Sequence, residues 1–314
     1  MFWKKLTLCV LGVIVALLVF EVVVRFTPFA EVHMITYDAQ RGWALLPGAK
    51  ELYTREGRGY VKINRDGLRD VDHPRQKPPD TFRIAVLGDS FAEAYQVDLR
   101  DTFWWVMQER LRACPALAGK RVEAINFGVM GYGTAQELLS LRYHAWQYSP
   151  DFVVLAIYIG NDIENNSVRL ENNKCRPFFV ERDGRFVLGG PFVDSRVQRL
   201  RCMVRFESRY SQVANIVGGA VMRARVSLRA AMQARASKQR VDGVKGDEAW
   251  SLNLVYVEPR DPVWDAAWRA TDAAVTMVAR EAQSHRAGFL AVTLSDAIQV
   301  YPDHAVRAAY EKRL

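Results

Sequence analysis

Ile84-Ala85-Val86-Leu87-Gly88-Asp89-Ser90-Phe91 decides the fold. Its run of apolar residues predicts a strand buried on both faces, which Gly88 ends. Ser90 then opens a predicted helix over Phe91 to about Arg112, whose first free N–H groups favour negative charge. An acyl-transfer nucleophile needs this setting: a hydroxyl at the carboxyl edge of a sheet, with amides already pointing at the developing oxyanion. Gly-Asp-Ser is also ordinary turn chemistry, with Asp or Ser as N-cap. The rest of the chain decides between the two.

Downstream the alternation repeats. Arg121–Phe127 predicts a second strand, Thr134–Tyr148 a helix with Leu138, Leu139, Leu141 and Trp146, and Asp151–Ile159 a third strand. A polar, basic insert over about 164–248 interrupts the rhythm, which resumes with strands at Leu252–Val257 and Phe289–Leu294. Between them Asp261-Pro262 starts a helix, N-cap then proline at N1, that stops at Gly288. Strands alternating with helices and apolar on both faces mean an α/β fold, a parallel sheet between helix layers. Ligands of such sheets bind beyond the carboxyl ends of the strands, where Ser90 stands.

Two further strand ends carry chemistry. The second strand runs into Asn126-Phe127-Gly128-Val129-Met130-Gly131-Tyr132-Gly133, whose glycines permit a tight turn and offer N–H groups. The third ends at Gly160-Asn161-Asp162, where the Asn161 amide can donate to an oxyanion. Glycines at 128, 131 and 133 have the wrong spacing for a dinucleotide fingerprint, and no Cys/His spacing reads as zinc, so neither cofactor nor metal is expected.

At Gly88-Asp89-Ser90-Phe91, Asn126-x-Gly128-x-x-Gly131 and Gly160-Asn161-Asp162 the chain resembles the SGNH/GDSL hydrolases. Val61-x-Ile63-Asn64-x-x-Gly67-Leu68-Arg69 is similar to a segment preceding the hydrolase domain in many membrane-anchored bacterial members. The resemblance implies a flavodoxin-like three-layer domain. It also implies Ser90 as nucleophile and an oxyanion hole from the Ser90 N–H, the Gly128 N–H and the Asn161 amide. The family's fourth element, an Asp-x-x-His near the C-terminus, has no counterpart there. His33 and His73 precede the core, His144 lies inside a helix and His285 in a last helical turn. His304 is the only positional candidate for the base, with Tyr301 three residues before it and Asp303 reading as an N-cap. A C-terminally incomplete hydrolase domain is the expectation that follows.

The N-terminus is of another kind. Leu6–Val24 is an apolar run of 19 residues broken only by Glu21, which as a helix at about 1.5 Å per residue just spans a bilayer core of about 30 Å. Lys4 and Lys5 precede it, which places the N-terminus in the cytoplasm and the bulk outside. A cleaved signal peptide fits less well, since no good small-x-small site follows. The expected organisation is an anchor over 1–25, a cap or linker over 26–80 and a hydrolase-like domain over 81–314, on a bacterial inner membrane and facing the periplasm.

The net charge of +8 is concentrated. Residues 196–240 hold eleven Lys or Arg against one acid, Glu207, with apolar residues at helical spacing. Basic amphipathic helices are expected there, either a solvated insert or a contact with anionic lipid. No nucleic-acid module accompanies the charge. Cys175 and Cys202 flank part of this insert and can pair in an exported domain; buried thiols are the other reading. The expected activity is hydrolysis or transfer at ester bonds of acylated envelope polysaccharide or lipid. The alternative is a silent module that binds polysaccharide, lipid or a partner.

Overall fold

In a computed structural model, residues 2–27, 33–216, 218, 220–221, 224, 255, 258–259, 261–295 and 299–313 are described. The chain divides into two compact units, 1–33 with 203–245 and 34–202 with 246–314. Residues 34–80, part of the stretch expected as a cap or linker, belong to the same unit as the sheet.

In the first unit, α1 (Phe2–Arg25) is long and apolar enough to cross a membrane. Near its end Glu21 accepts hydrogen bonds from the Arg25 guanidinium one turn on.

The second unit opens with two antiparallel hairpins, β1 (Ile35–Asp38) with β2 (Gly42–Leu45), and β3 (Lys50–Tyr53) with β4 (Gly59–Lys62). Then come β5 (Thr81–Leu87), α2 (Ser90–Glu93), α3 (Phe103–Leu111), β6 (Arg121–Asn126), α4 (Thr134–Tyr143), β7 (Phe152–Tyr158) and α5 (Ile159–Asn165). The insert contributes the hairpin β8 (Phe178–Arg182) and β9 (Arg185–Gly189), then α6 (Pro191–Asp194) and α7 (Arg196–Glu207). The unit ends with α8 (Pro262–Ser284), β10 (Gly288–Leu294) and α9 (His304–Arg313).

The central sheet is parallel, in the order β10-β7-β5-β6. Alternation along β5 sorts its side chains. Ala85 and Leu87 face Leu138, Leu141, Ala274 and Val278 of α4 and α8; Ile84 and Val86 face Trp104 of α3. Helices thus cover both faces. Because β6 lies on one side of β5 and β7 on the other, the chain reverses direction between β5 and β7, and their carboxyl ends open a crevice there.

Several sequence expectations are corrected. The helix expected over Phe91–Arg112 is broken after four residues, because Ala94 turns left-handed (φ 55°) and its N–H closes on the Ser90 carbonyl. The Arg69 guanidinium takes the carbonyls of Glu93, Ala94 and Val97, and Thr102 then caps a new helix. The helix over Thr134–Tyr148 ends at Tyr143 and tightens into a 3-10 turn at Ala145–Tyr148. Gly160-Asn161-Asp162, expected at the end of the third strand, lies in the first turn of α5, where Asp162 Oδ2 accepts the Tyr158 N–H at 2.8 Å. The insert is not helical throughout: Asp183-Gly184, both at positive φ, close the β8–β9 hairpin as a two-residue turn favours. The strand expected at Leu252–Val257 lies, Val255 apart, outside the described residues. So does most of the basic segment beyond residue 216.

Two expectations agree with the structure. Asp261 caps α8 through the N–H groups of Val263 and Trp264, and Cys175 is disulfide-bonded to Cys202.

Candidate active site

Ser90 stands at the carboxyl end of β5 and Asn161 beyond the end of β7, next to it in the sheet. Asp89 joins them across the crevice. Its Oδ1 accepts the Phe91 N–H at 2.9 Å and its Oδ2 accepts the Asn161 side-chain amide at 2.9 Å. Asp89 is fully buried, and burial pushes its carboxyl up, against hydrogen bonds from Phe91, Asn161 and the Ser90 side chain. The Ser90 N–H has no acceptor among the described residues, and Asn161 keeps a second amide proton. Phe91 and Tyr158 lie with ring centroids 4.0 Å apart, an aromatic wall beside the serine.

Gly128 packs where any side chain would collide: a Cβ there would lie 2.5 Å from the Ala92 Cβ. Its N–H, expected to face an oxyanion, instead donates to Asn126 Oδ1 at 2.9 Å. The two donors that remain are therefore Ser90 N–H and Asn161 Nδ2–H, with Gly128 able to join only by sharing its proton or releasing Asn126.

Residues the sequence reading passed over hold this arrangement. Asn126, fully buried, donates to the Ala92 carbonyl, and its backbone N–H donates to Asp70 Oδ2 at 2.9 Å. Arg69 ends the Val61–Arg69 segment and Asp70 follows it, so these two residues pin the end of α2 to the end of β6. The Asn64 carboxamide braces its turn by accepting from the Asp66 and Leu68 N–H groups. Glu93 Oε2 accepts the Met130 N–H and so fixes the glycine loop; burial pushes its carboxyl up to about 7. From above, Trp43 Nε1 donates to the Met130 carbonyl at 3.2 Å.

Two more carboxyls, Glu137 of α4 and Asp162 of α5, are buried within reach of the Asp89 charge. Among the described residues, both Glu137 oxygens lack a hydrogen-bond partner. Burial, then the charges of Asp162 and Asp89, hold Glu137 well above the usual carboxylate range; burial and Asp89 do the same to Asp162. Arg176, buried over the Trp43 ring at 5.1 Å and paired with Glu171 at 2.9 Å, supplies nearby positive charge.

The histidines have their contacts elsewhere. His33 meets Asn215 in the first unit. His73 sits between Asp70 (3.3 Å) and Glu123 (3.9 Å), beside the Arg83–Glu123 ion pair. Asp70 and His73 thus form an Asp-x-x-His upstream of β5 that the sequence reading, looking near the C-terminus, missed. His144 lines a separate cavity of about 190 Å³ with Asp38, Arg41 and Tyr148, where burial pushes its imidazole down to about 4. His285 stacks on Trp146 at 4.0 Å. His304, the positional candidate, is exposed at the start of α9 with its ring against Arg307. The structure unites Ser90 and Asn161 through Asp89, sets Gly128 against the intervening helix, and shows no contact of His304 with them.

No family model matches the chain, and no curated protein matches it in sequence.

Proposed function

We propose that the chain is a membrane-anchored serine hydrolase or acyl transferase of SGNH type, with a flavodoxin-like domain facing the periplasm of a bacterial cell and ester bonds of envelope polysaccharide or lipid as substrate. The observation that carries this reading is the hydrogen bond from the Asn161 amide to Asp89 across the β5–β7 crevice, which sets Ser90 beside a free amide donor. Strand order and the N-terminal apolar helix support the fold and the anchor.

In the proposed reaction Ser90 Oγ bonds to the ester carbonyl carbon as its proton passes to a general base. The carbonyl electron pair moves onto oxygen and is met by the Ser90 N–H and the second Asn161 proton. Collapse expels the alkoxide, which leaves as the alcohol on taking up the proton. Water or a sugar hydroxyl, giving its proton to the base, then bonds to the acyl carbon; the acyl–Oγ bond breaks, the acyl group leaves as acid or new ester, and Ser90 Oγ takes the proton back.

One observation favours a second reading, a silent module that binds polysaccharide, lipid or a partner through the same crevice: the histidine contacts described above all lie away from Ser90. A general base contributes about 10²–10⁴-fold, so its loss leaves an oxyanion site with little turnover. Treating the detergent-solubilised full chain with a fluorophosphonate probe separates the two. Labelling that disappears in Ser90→Ala supports the hydrolase. Absence of labelling over the pH range in which the protein stays folded sinks it.

A further inference from the structure

The cavity beside His144 lies wholly within the sheet-bearing unit, and none of Ser90, Asp89 and Asn161 lines it. Strand alternation sets Thr36, Asp38 and Ala44 on one face of the β1–β2 hairpin. Across about 190 Å³ that face meets His144, Gln147 and Tyr148, brought together where α4 tightens into its 3-10 turn. Leu68 and Phe127 add apolar lining.

The charges around the cavity cancel. Arg41 pairs with Asp38 at 2.7 Å and Arg75 with Asp66 at 3.3 Å, while the His144 imidazole, pushed down to about 4 by burial, is neutral at neutral pH. Arg75 also donates to Gln147 Oε1. Two polar atoms remain unmet. Among the described residues, the buried Arg41 Nε and His144 Nε2 have no hydrogen-bond partner, a state that native interiors seldom leave unanswered. Arg41 Nε can only donate, whereas His144 Nε2 donates or accepts according to its tautomer; a hydroxyl serves either. Water does so too, but the volume has room for about six waters, and the side chains of Ala44, Leu68 and Phe127 offer them no hydrogen bond. A ring with hydroxyls on its rim and C–H groups on its faces matches both kinds of lining.

We propose that this cavity binds an uncharged pyranose. Ring hydroxyls meet Arg41 Nε–H and His144 Nε2, and the C–H faces lie against Leu68 and Phe127. A charged sugar is refused, because each carboxylate and guanidinium of the lining already has its counter-charge. The proposal does not rest on the chemistry at Ser90.

The test uses the full chain in a detergent without a sugar headgroup and measures Kd by saturation-transfer difference NMR. Methyl glucoside, methyl galactoside and methyl mannoside are the probes, each beside the uronic acid and the amino sugar of the same ring. At the efficiency of ordinary small ligands, at least one uncharged probe should bind with a Kd of about 1–10 mM. Its charged counterparts should bind at least about tenfold more weakly. His144→Leu should weaken that binding about tenfold, the worth of one hydrogen bond, and Ala44→Phe, which fills the cavity, should abolish it. Tighter binding of the matching disaccharide assigns the site to a saccharide chain, and equal or weaker binding assigns it to the free sugar; both uphold a pyranose site. No binding of any probe at about 50 mM overturns the proposal. Affinity unchanged in both variants, at an unchanged unfolding temperature, also overturns it, because the sugar then sits elsewhere. Equal affinity for the charged rings overturns the charge-balance argument. If Ala44→Phe fails to fold, His144→Leu decides alone.

Discussion

Replacing Glu93 by Gln tests the electrostatics of the glycine-loop anchor. Glu93 is 1% exposed and its carboxyl is raised from 4.5 to about 7, chiefly by burial. Below pH 4.5 both folded and unfolded chains carry the proton, and stability owes nothing to this titration. Between 4.5 and 7 the unfolded chain releases it while the folded chain keeps it, so folding loses stability as pH rises. Above 7 the loss is complete. At about 1.4 kcal/mol for each tenfold difference in proton affinity, that loss is about 3 kcal/mol. Gln keeps an oxygen for the Met130 N–H and has no proton to release. Glu93→Gln should therefore match the native protein near pH 4.5 and exceed it by about 3 kcal/mol near pH 8. Urea unfolding of the detergent-solubilised chain, followed by tryptophan fluorescence at both pH values, reads the difference. A constant offset between the two proteins across that range would refute the argument, since the offset would then come from packing and not from the proton.

Asn161→Ala should slow fluorophosphonate labelling of Ser90 by about two to three orders of magnitude, the usual loss for one oxyanion donor, and an unchanged rate would detach Asn161 from the site. Gly128→Ala should cost about 1–3 kcal/mol, because its Cβ would lie 2.5 Å from that of Ala92. Ala92→Gly in the same chain should recover part of this, and a double variant no more stable than the single one would place the strain elsewhere. Cys202→Ala opens a loop with a sequence separation of 27 and should lower unfolding stability by about 3.5 kcal/mol. Equal unfolding midpoints with and without reductant would show that the bridge constrains nothing.

The α/β alternation is readable without coordinates because a strand buried on both faces must be apolar throughout. That requirement is local, and Phe152–Tyr158 satisfies it in plain view, whereas Gly288–Leu294 is as apolar but half exposed at the sheet edge. Caps written in adjacent residues are equally readable: Asp261-Pro262 starts α8 as its side chain dictates. The break of the helix after Ser90 is not readable, because the agent is Arg69, more than twenty residues upstream, binding carbonyls that an uninterrupted helix would have used itself.

The sequence by itself thus determined the sheet, the anchor-like helix and the strand-end positions of Ser90, Gly128 and Asn161. Only the tertiary structure decided how those positions work together. Asp89 and Asn161 are 72 residues apart and meet because β5 and β7 are neighbours in the sheet. The Gly128 amide is turned to Asn126 by a local bond that spacing does not reveal, and helix packing raises the proton affinity of Glu137 and Asp162 by removing them from water. The physical reason is range: periodicity and capping act over a few residues, whereas donor direction and proton affinity depend on neighbours the fold brings from tens of residues away.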